Sequence, residues 1–552
     1  MRDFTLNQWY TAERLQSFVL KSDEVQKKRR FCYKQLMGFL LTRGKDICAL
    51  MGIRRTGKTV LMLQAIYDLM TTYHIPAERI AYITIGEKNT LDDMELMHAI
   101  DRLAAQDVRY IFVDEISYVH MELEDNTLNL LADRLAKSGV KIVIAGTFSY
   151  AIRLLAKETL FDRMQLIDTT YFSFKEAHEV FGQDLDTFLQ YGGVINFEES
   201  SELLSPADYM DTAIVQNIVK SIFKSDRRYE LLMTVPDSMK QGKSEKELQA
   251  MVSNLIRITV DTHMKKLVVE NLANKSFYKF SDVGRIASAI RSHSEQEALA
   301  NEALDIINLD KKTYYRILAD YIGNSEQIPK ETFQAIIRIL EEIGIKQDIF
   351  RGNDTVSVFI PNYLRYGLCD QIMQAIGDKI REETNQRYDA DLAGEILMGS
   401  IQEAVCYLDL KAAKTIDFDM YRTSDGSCEA DLVIRNKQEG WIDVYEIKHS
   451  SQVVYEQAKH LLNRDFIREI EQVFSCNVRN YYVLYNGQDK SVQLKPETVF
   501  GELEQKYLKQ QKTSQAEKWG SLREQAEGQA WETVNVQYRN TEKFLCGLPL
   551  IR

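Results

Sequence analysis

The chain has 552 residues, 45% hydrophobic and 27% charged, which excludes a disordered or fibrous protein and leaves room for about three or four domains. Only 7 residues are proline, a scarcity that favours long helices over proline-rich linkers. The net charge of −12 excludes a surface that coats nucleic acid throughout, so any such contact must be a local basic patch.

The first residues, MRDFTLNQWY, lack the apolar core of a signal peptide, and no later run is apolar and long enough to cross a membrane. A cytoplasmic protein without membrane contact is expected. Cys32, Cys48, Cys369, Cys406, Cys428, Cys476 and Cys546 form no CxxC pair, so neither a zinc site nor a disulfide framework is indicated and a reducing compartment fits. Residues 1–35 read as an N-terminal helical segment, whose basic run Lys27-Lys28-Arg29-Arg30 is taken as a solvated helix face. From about 46 to 175 the strands ICALMGI, RIAYITI, RYIFVDE and VKIVIAG alternate with helical periods, the pattern of βαβ units and a parallel sheet. With a helical extension, this α/β unit is assigned to 36–235. Residues 236–384 read as amphipathic helices, two of them opened by S-x-x-E capping boxes at Ser244/Glu247 and Ser294/Glu297, closed by the strand-like TVSVFIP. Residues 385–500 run helix, strand, strand, helix, strand, a second and smaller α/β unit. Residues 501–552 are expected to be a charged tail, with the Gln-, Glu- and Lys-rich 503–530 an exposed helix or tether.

The strand ICALM leads into Gly52-Ile53-Arg54-Arg55-Thr56-Gly57-Lys58-Thr59 and then the helical period VLMLQAIYDLM. This is G-x-x-x-x-G-K-[ST] in strand–loop–helix context, a phosphate-binding loop. Gly52 and Gly57 let backbone N–H groups curl round phosphates, with Arg54, Arg55 and Thr56 on the same loop. Lys58 supplies charge to the β- and γ-phosphates, and Thr59 offers its hydroxyl to Mg²⁺. The helix N-terminus behind the loop adds a favourable dipole. The strand RYIFVDE ends in Asp114 and Glu115: Asp114 is placed to hold Mg²⁺, Glu115 to orient or deprotonate the attacking water. The strand Val140 to Ala145 ends in Gly146-Thr147-Phe148-Ser149, where Thr147, or secondarily Ser149, could meet the γ-phosphate or simply cap a loop. Arg163 is a candidate to neutralise charge in the transition state. ATP and Mg²⁺ are the expected cofactors.

A second constellation lies at 421–450. The strand CEADLVI carries Glu429 and Asp431 on one face, and WIDVYEIKHS carries Glu446 and Lys448 on one face. If the two strands pair, these groups converge, with Glu403 supplied by the helical stretch GEILMGSIQEAVCYL. Carboxylates at this density suit Mg²⁺, so Glu403, Asp431 and Glu446 are candidate metal ligands; Lys448 could polarise water or stabilise a phosphorane-like transition state. The competing reading is a solvated cross-strand ion pair. E-x-K recurs at Glu504-Gln505-Lys506 and D-x-K at Asp409-Leu410-Lys411, neither at the end of an apolar strand. Between the two constellations, Asn301 to Ile322 reads as helix–turn–helix with Lys311, Lys312, Tyr315 and Arg316 on its second helix. With TVSVFIP it is similar to a winged helix, a unit that reads DNA or simply packs.

GIRRTGKT, VDEI, GTFS and FSFKEAHEVFG resemble the bacterial and archaeal AAA-superfamily ATPases of the GxRRxGKT type. YGGVI, YRT-x(5)-EADLVI and YEIKHS match that family's later landmarks, so the resemblance spans roughly 30 to 500. It implies an α/β multidomain chain: a P-loop NTPase parallel sheet, a helical and winged-helix middle region, and a C-terminal domain of restriction-endonuclease-like fold with a PD-(D/E)XK-like site at Glu403, Asp431, Glu446 and Lys448. It also implies a nucleotide role for Arg163. The chain departs from the family pattern at Asp162, where Gly is usual, and at Tyr171-Phe172-Ser173-Phe174, where Pro-Leu-Ser-Phe is usual. The expected function is an Mg²⁺-dependent ATPase coupled to a nuclease-like domain acting on DNA or RNA. The alternative is a nucleotide-controlled switch whose nuclease-like domain is catalytically silent; a remodeller of protein partners is a third. An arginine acting in trans would require a homo-oligomer.

Overall fold

The computed structural model describes residues 12–21, 28–85, 93–116, 139–146, 164–195, 204–223, 228–274, 328–351, 354–384, 390–423, 428–509 and 513–549. Helices α1 (Ala12–Lys21) and α2 (Tyr33–Leu41) precede β1 (Ile47–Met51), every residue of which is buried. Full burial is what a central parallel strand requires, because it is covered on both faces. Helix α3 (Lys58–Thr71) follows, then β2 (Ile80–Thr84), α4 (Asp93–Ala105), β3 (Tyr110–Asp114), β4 (Lys141–Ala145) and β5 (Met164–Asp168). The five strands form one parallel sheet in the order β2-β3-β4-β1-β5, the βαβ architecture expected from the sequence. Alternation along the strands divides the core. Ile47, Ala49, Met51, Ile111 and Val113 face α4, whereas Cys48, Leu50, Phe112 and Val143 face α2 and α3. Helix α3 presents Leu61, Met62, Ala65, Ile66 and Leu69 to that second core, the spacing of one helical face.

The middle of the chain is helical. Helices α5 (Phe174–Phe181), α6 (Leu185–Tyr191) and α7 (Pro206–Met210) lead through a π-helical turn (Asp211–Val215) into α8 (Gln216–Phe223). Next come α9 (Arg228–Thr234), α10 (Asp237–Lys240), the long α11 (Glu245–Asn274) and α12 (Lys330–Glu342). The capping box at the head of α11 is formed reciprocally: Ser244 N donates to Glu247 Oε2 at 2.8 Å and Glu247 N to Ser244 Oγ at 3.4 Å. The box expected at Ser294/Glu297 and the helix–turn–helix reading of 301–322 lie outside the described residues. TVSVFIP supplies β7 (Asp354–Phe359), which pairs antiparallel with β6 (Lys346–Arg351) before α13 (Asn362–Thr384).

The C-terminal unit opens with α14 (Ala390–Ala413), then β8 (Asp417–Arg422), β9 (Glu429–Asn436), β10 (Trp441–Ile447), α15 (Arg464–Phe474) and β11 (Asn477–Tyr485). It continues through β12 (Lys490–Leu494), α16 (Pro496–Lys509), α17 (Thr513–Gly528), β13 (Val534–Asn540) and α18 (Thr541–Gly547). Its mixed sheet runs β12-β13-β11-β10-β9-β8. Leu432, Tyr445, Ile447, Tyr482 and Leu484 of one face join the core of α14 and the middle helices. Val433, Val444, Val483 and Val536 of the other pack under α15, α16 and α17.

Two features differ from the expectation. Strand β8 precedes the carboxylate strand; only Met420 in it is buried, so DFDMYR carries little apolar signal. Within 501–552 the described residues form packed elements rather than a charged tail. Strand β13 is inserted between β11 and β12, and Trp519 and Trp531 are buried. The polar face of α17 dominates its composition, while Ala516, Trp519 and Ala526 do the packing.

Candidate functional site

The loop between β1 and α3 is shaped by its glycines. A Cβ on Gly52 would lie 2.2 Å from Thr169 Oγ1, and Gly57 caps α3 at a φ of +82°, a left-handed conformation that side chains resist. Lys58 is buried and donates to the Gly52 and Ile53 carbonyls, both at 2.8 Å. Burial lowers its ammonium to about 8, against the pull of the Glu115 and Asp114 charges. Thr59 Oγ1 donates to Asp114 Oδ2 at 2.7 Å, and Tyr82 OH donates to the same oxygen at 3.0 Å. Asp114 Oδ1 accepts from Glu115 N at 2.9 Å. Glu115 itself leaves β3 at a φ of +54°, and its charge reaches Lys58. Lys58, Thr59, Asp114 and Glu115 thus gather at the carboxyl ends of β1 and β3, the edge where open α/β sheets take ligands.

Thr56 is turned inward: its Oγ1 donates to Ile53 O at 3.0 Å and faces Thr169 Oγ1 at 2.9 Å. Arg54 and Arg55 are half-buried, and their carbonyls accept from Tyr209 OH and Ile195 N, each at 2.8 Å. Thr147, Ser149 and Arg163 lie outside the described residues.

The basic run at 27–30 was expected to be a solvated face, and for Arg30 that is corrected. Arg30 is buried, with its guanidinium stacked 3.5 Å above the Phe172 ring. Its Nη1 donates to Thr56 O and Thr169 O at 2.8 Å, its Nη2 to Tyr171 O at 3.0 Å, and its Nε to Glu176 Oε1 at 2.8 Å. Glu176 also accepts from Arg30 Nη2 at 3.2 Å and Phe31 N at 2.9 Å. By contrast Lys28 is exposed, and Arg29 pairs with Asp68 at 2.7 Å. One arginine of the run therefore fastens the phosphate loop from behind. The only hint of it in the sequence was the acid in FSFKE, three positions into a helix that Ser173 caps.

In the C-terminal unit β9 and β10 pair antiparallel, with Leu432 opposite Tyr445, so the next step along the ladder sets Asp431 beside Glu446. Asp431 Oδ2 accepts from Ile447 N at 2.7 Å and from Lys448 Nζ at 3.0 Å. Lys448 Nζ also lies 2.7 Å from Glu446 Oε2. Glu446 is 2% exposed, and its Oε1 has no hydrogen-bond partner among the described residues. Burial pushes its carboxyl up to about 8; Lys448 opposes that rise and Asp431 adds to it. Burial disfavours the charged Lys448, but the Asp431, Glu446 and Glu403 charges outweigh it and hold the ammonium above its usual value. Glu403, on α14, lies within the field of both Lys448 and the buried Arg365. Among the described residues no three His, Cys, Asp or Glu side chains are grouped closely enough to hold a metal ion. Glu429 is turned to Arg422, 3.9 Å away. The other acid-x-Lys motifs have structural partners: Glu504 pairs with Arg523 at 2.9 Å, Lys506 with Glu456 at 2.6 Å. Asp409 is buried and accepts from Tyr171 OH and, at 2.9 Å, from Phe174 N.

A parallel sheet whose first strand enters a GxxxxGKT loop, with a carboxylate hydrogen-bonded to the loop threonine, defines a P-loop nucleotide-binding domain. Residues 44–178 match a family described as an AAA domain. Among solved structures, the chain is similar to the Aeropyrum pernix ORC2 protein (ADPNP–ADP complexes) at 11% identity and a TM-score of 0.30, covering 64% of this chain and 98% of that one. It is similar to the Aeropyrum pernix ORC1 protein in complex with DNA at 14% identity and a TM-score of 0.23, over 70% of this chain and 100% of that one. The likeness to Cdc6p from Pyrobaculum aerophilum is 17% identity and a TM-score of 0.21, over 66% and 99%. No curated protein matches the sequence. Among the described residues, no helix is long and apolar enough to cross a membrane.

Proposed function

We propose that the protein is an Mg²⁺-dependent ATPase of the AAA type whose C-terminal unit is a nuclease-type domain acting on nucleic acid. The observation that carries the first half is the Thr59–Asp114 hydrogen bond of 2.7 Å at the mouth of the loop. A threonine hydroxyl and a strand-end carboxylate in contact are the oxygen pair that fits Mg²⁺. When bound, the ion neutralises charge on the β- and γ-phosphates. Lys58 exchanges its loop carbonyls for those phosphates, where the added negative charge restores its full protonation. The loop N–H groups orient the phosphates, Glu115 takes the proton of the attacking water, and Thr147 and Arg163 are assigned to the γ-phosphate.

The second half rests on the convergence of Asp431, Glu446 and Lys448, in a unit whose elements run helix, three strands, helix, strand. The unpartnered Glu446 Oε1 is the oxygen that, with Asp431, would meet a divalent cation; Glu403, expected as a third ligand, is not grouped with them and acts on the pair through its charge on Lys448. Lys448 is placed to stabilise charge on the scissile phosphate. The switch reading is favoured by one observation, the double ion pair that holds Lys448 between its own carboxylates. Cleavage of labelled single- and double-stranded DNA and RNA, with Mg²⁺ or Mn²⁺ and with or without ATP, separates the two. Loss of cleavage in Lys448→Ala and a changed ATP response in Lys58→Ala are expected. ATP hydrolysis with no cleavage of any substrate would leave the switch.

A further inference from the structure

The two candidate sites lie in different parts of the chain, yet helix α14 touches the carboxylate and lysine strands directly and, through Asp409, the segment that Arg30 ties to the phosphate loop. Gln402 and Asp409, two turns apart, lie on one face of α14, while Glu403 and Tyr407, one turn apart, lie on the neighbouring one. On the C-terminal side, Tyr407 OH donates to Asp431 O at 2.7 Å, and Gln402 Nε2 donates to Lys448 O at 3.4 Å and to Thr541 Oγ1 at 3.0 Å. The carboxylate strand and the lysine strand are therefore both referenced to this helix. On the ATPase side, Asp409 accepts from Tyr171 OH and Phe174 N. That segment is the one Arg30 holds: Arg30 bonds Tyr171 O and Glu176 on one side and Thr56 O of the phosphate loop on the other.

We propose that Tyr407 and Asp409 are positioning residues. Tyr407 fixes Asp431, and Asp409 ties the same helix to the phosphate loop through Tyr171 and Arg30, so that nucleotide at the loop alters the geometry at Asp431 and Lys448. The inference rests on the ATP-binding reading above. Every link is a hydrogen bond between buried or half-buried groups, where an unmade bond is costly and displacement is passed on. A nucleotide that reshapes the loop pulls on the Thr56 carbonyl, and that carbonyl shares one guanidinium nitrogen with Thr169 O. Burial raises the Asp409 carboxyl to about 7, in keeping with its having no cation partner in that network.

The test compares hydrogen exchange with and without the imido analogue of ATP plus Mg²⁺, in the full chain, reading the amides of Ile447 and Lys448. These amides bond to Asp431 Oδ2 and Leu484 O. Analogue binding is measured separately by equilibrium dialysis. In the wild type, bound analogue should change exchange at these amides about fivefold or more. In Asp409→Asn, which keeps the shape of the side chain, the analogue should still bind while the change at Ile447 and Lys448 disappears. Without nucleotide, Tyr407→Phe should raise exchange at Ile447 and leave Phe174 as it was. A loosened helix alone would raise exchange along all of α14, with or without analogue. The proposal is overturned if Asp409→Asn transmits the change as the wild type does, or if the wild type binds analogue with no change there. It falls together with the ATP-binding reading if the wild type binds no analogue, an outcome the dialysis identifies by itself.

Discussion

Replacing Arg30 by Met should cost far more than a surface arginine would. The side chain sits 6% exposed against the back of the phosphate loop. Its removal leaves Glu176 with Phe31 N as its remaining donor from this cluster, and strips a donor from the Thr56, Thr169 and Tyr171 carbonyls. Breaking a buried ion pair from one side typically costs about 3–5 kcal/mol, because the other charge stays buried and unpaired. The double variant Arg30→Met/Glu176→Met should recover about 2 kcal/mol of this, since it removes that charge, while the three carbonyls keep the remainder. Three of the four tryptophans, Trp441, Trp519 and Trp531, lie in the C-terminal unit, so intrinsic fluorescence is a poor probe of the loop. Native-state hydrogen exchange at Thr169 N, which bonds Met51 O at 2.7 Å, reads local opening directly. The expected rise in opening for Arg30→Met is about 100-fold or more. A rise below about fivefold, or a double variant worse than the single, would show that the guanidinium is replaceable by water and refute the argument.

Two further outcomes follow from burial. The Lys58 ammonium, lowered to about 8 by desolvation, titrates in the folded chain well before it does in the unfolded one. Between about pH 8 and 10.5 the unfolded state then binds more protons, so stability of the nucleotide-free protein should rise with pH across that window, by at most about 3 kcal/mol. Thermal midpoints from pH 7.5 upward should show that rise in the wild type and a flatter profile in Lys58→Met; parallel profiles would rule out the desolvated lysine. Trp519→Ala, which removes the buried ring stacked on Phe500, should destabilise the C-terminal unit by about 3–5 kcal/mol. Its urea unfolding, followed by the fluorescence of Trp441 and Trp531, should move to lower concentration, and an unchanged midpoint would contradict the packing described for α17.

What the sequence disclosed depended on how local the signal was. The parallel sheet was legible because four buried strands read as continuous apolar runs, and the phosphate loop because its chemistry needs glycines and lysine at fixed spacing. Asp431, Glu446 and Lys448 could be suspected because period-two alternation put them on shared faces of two strands, though only the pairing register shows that they meet. Arg30 was hidden in a run of basic residues, where the exposed Lys28 and the buried Arg30 are alike in composition. Asp409 looked like a chance D-x-K match, because its partners, Tyr171 and Phe174, are 238 and 235 residues away. The insertion of β13 was illegible for the same reason: VNVQYRN alternates as a half-buried strand should, but nothing in it says which strands it will separate.

That insertion sets an order of assembly. Among the described residues β12 pairs with β13 alone, and β11 meets β13 on the edge away from β10. Until residues 534–540 are in place, β11 presents an open row of backbone donors and acceptors, and β12 has nowhere to dock. The helix that follows, α18, then reaches back to the ATPase side: Lys175 Nζ donates to Leu548 O at 2.8 Å and Leu185 N to Glu542 Oε2 at 3.2 Å. On the ribosome, therefore, the five-stranded parallel sheet can close early, while the mixed sheet stays incomplete until residues 534–540 have emerged.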